Sequence, residues 1–278
     1  MLHNRIGRGG LDYCLFQLPN SKLSFRGPAP DFGGRYVAVL GSCETFGKFV
    51  PTPYPALLSQ SLETQCVNFS AHNAGPDFFL GDAALVHHCN QAVLNIVSVT
   101  GALNMSNRFF QVHPRHNDRY VGHSKPLTTL FRNLDSGDIH FTKHLMRELL
   151  AQDPFKFTIV VEELKQAWVA RMVSLLKNIE GPKILLWVSD HVPHDVAIPG
   201  DDPGLTRAPL FVDQVMMDKI SPYADQVAEC VFNRHSMKKS RREMVYTEDE
   251  TDAAAVLPGP QIHQKIAVAL EKIVSPYL

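Results

Sequence analysis

Short, almost unbroken apolar runs recur along the chain and alternate with stretches whose apolar residues return every three or four positions. The first run is Tyr36-Val37-Ala38-Val39-Leu40, and 66–69, 94–99, 183–188 and 227–232 follow in the same style. Between them, 56–62 after Pro53-Tyr54-Pro55, then 78–93, 162–179, 210–220 and 262–274 carry the helical period. In the long stretch Leu164, Trp168, Met172, Leu175 and Leu176 share one face, and Gly181-Pro182 ends it. Strands that are near-continuous apolar runs, alternating with helices, predict an α/β protein with a parallel sheet covered on both faces.

The pattern also divides the chain. Residues 1–35 are rich in Gly, Pro and Asn and predict an irregular N-terminal arm, followed by a single α/β domain over 36–278. A polar, loop-rich insertion full of His and Arg occupies about 105–145. Lys238-Lys239-Ser240-Arg241-Arg242, with Glu248-Asp249-Glu250 after it, reads as a solvated loop.

In open parallel sheets ligands bind beyond the carboxyl ends of the strands. The polar segments 41–47, 70–75 and 101–104 should therefore converge there, with His263 added at the start of the last helix. A nucleophile, amide donors and a base are thus placed in one region by topology.

Composition narrows the partners. With 27 Lys and Arg against 28 Asp and Glu the net charge is −1, so no overall field draws the chain to nucleic acid or acidic membranes. The N-terminus has no apolar leader-like core, and no run approaches the roughly eighteen residues that span a bilayer. A cytoplasmic location, no nucleic acid and no membrane are the expectations, and a homo-oligomer is left open. Cys14, Cys43, Cys66, Cys89 and Cys230 show no C-x-x-C spacing, which argues against a disulfide framework or structural zinc. No phosphate-binding glycine loop is present, so no cofactor is expected.

Gly41-Ser42-Cys43-Glu44-Thr45-Phe46-Gly47 resembles the first block of the GDSL/SGNH hydrolase superfamily, G-D-S-x-[TS]-x-G after the first strand. The resemblance implies a three-layer, flavodoxin-like parallel five-stranded sheet ordered 2-1-3-4-5, with helices on both faces. It places Cys43 at the family's serine nucleophile and Ser42 at the aspartate before it. Ser70 falls where an oxyanion-hole glycine is usual, within Asn68-Phe69-Ser70. Asn104 falls at the oxyanion asparagine, with one extra residue in the block and Met105 replacing an aspartate. His263 stands at the catalytic histidine, and Pro260 occupies its aspartate partner's place. The arm segment Phe25-Arg26-Gly27-Pro28 and the insertion around 106–119 also resemble an uncharacterised bacterial family.

Each position has a second reading. A cysteine at a strand-to-helix turn is an acyl acceptor if a histidine or helix terminus lowers its pKa, and otherwise a small buried residue. A one-residue shift would make Ser42 the nucleophile. His263 is either the base or an exposed residue in the first turn of a helix. Glu44 and Thr45, beside the nucleophile position, are candidate substrate contacts.

The insertion holds Arg108, Arg115 and Arg119 with His113 and His116 in thirteen residues. Arg108, His113, Arg115 and Arg119 would clamp a carboxylate, phosphate or sulfate, or the arginines would pair with Asp118, Asp135 and Asp138 to staple a loop. His140 and His144 lie four apart, but no third ligand motif accompanies them, so no metal is expected. Asp190-His191 with His194-Asp195 would line the site or cap a turn. The leading expectation is hydrolysis or transfer of an acyl group on a small or carbohydrate-like anionic substrate. The alternative is a catalytically silent member of the same fold that binds an anionic ligand.

Overall fold

The computed structural model describes residues 10–193 and 205–278. Its main sheet has five parallel strands: β1 (Tyr36–Leu40), β2 (Gln65–Asn68), β3 (Leu94–Ser98), β6 (Lys183–Ser189) and β7 (Gln226–Val231). They lie in the order β2-β1-β3-β6-β7, which is 2-1-3-4-5 among the parallel strands. The remaining two strands, β4 (Phe110–His113) and β5 (His116–His123), pair with each other as an antiparallel hairpin inside the insertion.

The period of two along each strand sorts side chains into two cores. Tyr36, Ala38 and Leu40 of β1 join Val97, Leu185 and Trp187 in one, together with Phe157, Leu164, Trp168 and Met172. Val37 and Val39 join Ile96, Ile184 and Leu186 in the other, against Tyr54, Leu58, Ile262, Ile266 and Leu270. The first core is covered mainly by α7 (Pro154–Asn178), the second by α2 (Tyr54–Leu62) and α11 (Pro260–Val274). That arrangement is the three-layer α/β fold.

Helix boundaries depart from the apolar pattern where caps decide. The helix α7 starts eight residues before 162, because Asp153 accepts from Phe155 N and Lys156 N at 3.1 and 3.0 Å ahead of Pro154. The stretch 78–93 is two helices, α3 (Pro76–Leu80) and α4 (Ala83–Gln91), since Asp82 restarts the chain by accepting from Leu85 N at 2.9 Å.

The segment read as a solvated loop is instead a cover. It forms α9 (Arg234–Ser240), two short 3-10 turns and α10 (Thr251–Ala255). Met244, Ala254 and Leu257 from this region pack with Phe49, Val50 and Cys43, and Val245 N donates to Phe49 O at 2.9 Å. Its charged residues hid the apolar contacts spaced among them.

The arm is irregular but anchored. Phe16 and Phe25 form an antiparallel bridge, and Phe25 lies edge-on to Phe69 and Phe78. Arg26, 5% exposed, donates to the carbonyls of Phe46, Gly47, Val50 and Pro51 at 3.2, 3.2, 3.1 and 3.0 Å. Its guanidinium also sits over the Tyr13 and Phe46 rings. Among the described residues, no helix is long and apolar enough to cross a membrane.

Candidate functional site

The turn after β1 needs its glycines for two different reasons. A Cβ on Gly41 would meet Thr45 Oγ1 at 2.1 Å, so only glycine admits this close return of the chain. Gly47 adopts a left-handed φ of 70° and ends the four-residue helix α1 (Cys43–Phe46). Cys43 is thereby held at the first position of a short helix, at the carboxyl end of β1.

Around it, the ends of the first three strands do meet. Cys43 Sγ donates to Asn73 Oδ1 at 3.3 Å, and Asn73 N approaches the sulfur at 3.3 Å. Asn73 takes a left-handed φ of 53°. Its Nδ2 donates to Asp118 Oδ2 at 2.9 Å, and its carbonyl accepts from Asn104 Nδ2 at 3.0 Å. The other end of Asn104 accepts from Thr142 Oγ1 at 2.8 Å. Cys43 and Asn104 thus belong to one network, joined by Asn73. Sequence reasoning placed the 70–75 segment here but did not single out Asn73, whose signal is an Asn in a polar strand-end segment, a residue type that tolerates φ > 0.

The thiol in this network is neutral. Burial pushes Cys43 up to about 12, and Glu44 and Asp118 add to that; Asn73 N–H and Lys48 oppose it without reversing it. The free amides of so short a helix do not outweigh desolvation here.

Ser70 faces inward. Fully buried, its hydroxyl donates to Asn68 Oδ1, and its amide donates to the same oxygen at 3.2 Å. Asn68 Nδ2 in turn donates to Thr45 O at 3.0 Å. The amide expected to stabilise an oxyanion is therefore already engaged. Thr45 is likewise buried, its Oγ1 accepting from Tyr54 OH at 3.1 Å. Ser42 is half-buried and makes no capping bond with its side chain.

His263 is wholly buried in the first turn of α11 rather than exposed. Its Nδ1 accepts from Tyr54 N at 2.9 Å, which fixes the proton of the neutral ring on Nε2. Nε2 makes no well-formed hydrogen bond, and the Pro258 backbone is the one group favouring the charged ring. Burial pushes His263 down to about 3, and Arg26 lowers it further. No hydrogen bond joins Cys43 to His263, and neither figures among the charges acting on the other.

A second histidine lies nearer the cysteine network. His72 precedes Asn73 and packs edge-on to Phe46 and Tyr13, with ring centroids 4.1 and 5.7 Å away. Burial, then Lys48 and Arg26, hold it down to about 4. The residue as a whole is exposed, so water screens part of that shift.

The insertion brings its hairpin to the same edge. Asn117 Oδ1 accepts from Gly75 N at 3.0 Å, and Asp118 reaches Asn73 as described. Arg108 is turned elsewhere, pairing at 3.2 Å with Glu163 of α7 and not with Asp118, Asp135 or Asp138. Arg115 and Arg119 are exposed and have no ion-pair partner among the described residues. His113 stacks on His116 at 5.2 Å. Burial lowers the His116 pKa, His113, Arg119 and Arg115 lower it further, and Asp118 opposes them.

At the other side of α1 a cavity of about 190 Å³ opens beyond β6 and β7. Glu44, Ser189, Asp190 and Arg207 give it polar lining, and Phe232 and Met237 give it apolar walls. Burial holds the Glu44 carboxyl above the ordinary carboxylate range. His191 Nδ1 lies 2.7 Å from Asp190 Oδ1 and 2.8 Å from Ser189 Oγ. His194 and Asp195 lie outside the described residues. Among the described residues no group of three His, Cys, Asp or Glu is placed to hold a metal ion, and His144 pairs with Glu148 at 3.5 Å.

A family model described as a domain of unknown function (DUF6473) matches residues 1–278. No curated protein matches the chain. Among solved structures, a carbohydrate esterase family 2 enzyme with a carbohydrate binding domain, from Corynascus thermopiles (Myceliophthora fergusii), is 11% identical with a TM-score of 0.43 over 90% of this chain and 68% of that one. A mutant of an acetyl-xylooligosaccharide esterase from Geobacillus Stearmophilus is 12% identical, TM-score 0.40, over 86% of this chain and 93% of that one. A lipase/acylhydrolase from Enterococcus faecalis is 9% identical, TM-score 0.38, over 87% and 96%.

Proposed function

The chain belongs to the DUF6473 family, and we propose that it is a ligand-binding protein on an SGNH-like α/β frame, one that holds a small anionic molecule and does not transfer acyl groups. The observation that carries this reading is the bond from Tyr54 N–H to His263 Nδ1. A general base must offer a lone pair towards the nucleophile, and this ring carries its proton on Nε2 while its Nδ1 lone pair is engaged. The neutral Cys43 thiol and the Ser70 amide bonded to Asn68 support the same conclusion. A catalytic constellation acts as a unit, so three altered members leave little of it.

The ligand class follows from the hairpin. Arg115 and Arg119 set two guanidinium groups, unpaired among the described residues, on the hairpin whose Asp118 reaches the cysteine network, and their planar forks suit carboxylate or sulfate. Asn73 and Asn104 line the adjoining polar edge. Titration calorimetry with citrate and with sulfate, at low and high salt, tests this. Binding that weakens at least tenfold in Arg115→Ala or Arg119→Ala, and weakens with salt, is expected. Affinity unchanged in both variants would remove the hairpin from the account.

A further inference from the structure

The Cys43 sulfur faces the hairpin side of the site, where Asn73 approaches it with both Oδ1 and N–H at 3.3 Å. Hairpin residues hold the segment that carries Asn73. Asn117 is 1% exposed; its Oδ1 accepts from Gly75 N at 3.0 Å, and its Nδ2 donates to the carbonyls of His113 and Pro114 at 3.1 and 3.3 Å. One buried side chain thus ties the turn bearing Arg115 to Gly75. A Cβ on Gly75 would lie 1.7 Å from Asn104 O, so this segment also sits hard against the Asn104 backbone. Asp118 accepts from Asn73 Nδ2 at 2.9 Å. Arg119 pairs with Phe141 in an antiparallel bridge, and the adjacent Thr142 donates to Asn104, which in turn donates to Asn73 O.

These ties are unequal. The Asn117 bond to Gly75 is buried, whereas the bonds of Asp118 and Asn104 to Asn73 are open to solvent. Solvent-exposed bonds mark the parts of a fold that open at least cost, so Asn73 is the part of this edge that lifts first. Lifting it takes a donor and an acceptor away from the sulfur and parts the edge from the hairpin. The side-chain amides of Asn73 and Asn104 each keep a second N–H after these bonds. An anion reaching from Arg115 or Arg119 to those N–H groups is held only while edge and hairpin stay together. Building on anion binding at the hairpin, we propose that the hairpin is a ligand-held latch: the bound anion keeps Asn73 down and shields the Cys43 thiol. A ligand that binds the closed form alone lowers the open fraction by 1 + [L]/Kd, roughly elevenfold at ten times the Kd.

Iodoacetamide labelling of Cys43, followed by mass spectrometry, is measured as citrate rises through the Kd found by calorimetry, with ionic strength held by sodium chloride. Cys14, exposed in the same chain, is the internal control. Labelling of Cys43 should slow roughly elevenfold at ten times the Kd while that of Cys14 stays constant. The Arg115→Ala/Arg119→Ala chain should lose this protection. Asp118→Ala, checked for folding by circular dichroism, should label at Cys43 about fivefold faster without citrate, because one bond holding Asn73 is gone. Citrate that binds and leaves Cys43 labelling unchanged overturns the latch and leaves anion binding at the hairpin standing. Protection that survives loss of both arginines, or labelling unchanged by Asp118→Ala, overturns the latch as well. Absence of citrate binding in calorimetry removes both the latch and the anion site.

Discussion

The backbone N–H of Tyr54 lies 2.9 Å from His263 Nδ1, and the two rings stack with centroids 5.9 Å apart. The pair joins the start of α2 to the start of α11 on one face of the sheet. A histidine placed for catalysis is here a buried hydrogen-bond acceptor holding two helices together.

That role has a pH signature. His263 is held near 3 in the folded chain and titrates near its ordinary value of 6.5 when unfolded. The unfolded chain therefore binds the extra proton first, and stability falls as pH drops from 6.5 towards 3. At pH 5 the loss is about 2 kcal/mol at ~1.4 kcal/mol per pKa unit. Denaturant unfolding of the protein and of His263→Gln at pH 7 and pH 5 measures it. The variant starts less stable and should show a shallower decline; parallel declines would contradict the burial of this ring.

Cys43 should behave as an inert thiol. Site-resolved mass spectrometry after iodoacetamide treatment at pH 8 should find Cys14, which is exposed, modified long before Cys43. Asn73→Gly keeps the left-handed backbone and removes the Oδ1 acceptor, and should speed Cys43 labelling several-fold. Rapid labelling of Cys43 in the unaltered chain at pH 7 would mean an activated thiolate and sink this prediction.

Arg26 ties the arm to the turn that presents Cys43. Replacing it with Ala leaves four carbonyls without their donor and should cost about 2–4 kcal/mol in denaturant unfolding. A loss under about 0.5 kcal/mol would show that the arm is a loose attachment. Gly41→Ala should also destabilise, by about 1–3 kcal/mol, because its methyl meets Thr45 in a packed turn. Near-neutral stability there would contradict the close approach.

The sheet was readable because β1, β2, β3 and β6 are buried along nearly their whole length, and the order of strand and helix then leaves few topologies. The 41–47 turn was readable from its glycines. What escaped was set by partners remote in sequence. Nothing near His263 announces that Tyr54 will donate to it from 209 positions away. Ser70 looks like an amide donor until Asn68 is seen to fold back on it. The cover over Cys43 was hidden because Met244, Ala254 and Leu257 are scattered among charges with no period. Glu44 was legible as a neighbour of the nucleophile position, but its cavity depends on β6 and β7, which lie far along the chain.

The account stands or falls on whether Cys43 and His263 can form an acyl-enzyme. The most direct measurement is site-resolved mass spectrometry of the protein and of His263→Gln after exposure to p-nitrophenyl acetate at neutral pH. The account predicts no acetyl group on Cys43 in either protein and no p-nitrophenol release above that of Cys43→Ala. An acetyl thioester on Cys43 that turns over, and that disappears in His263→Gln, would contradict it.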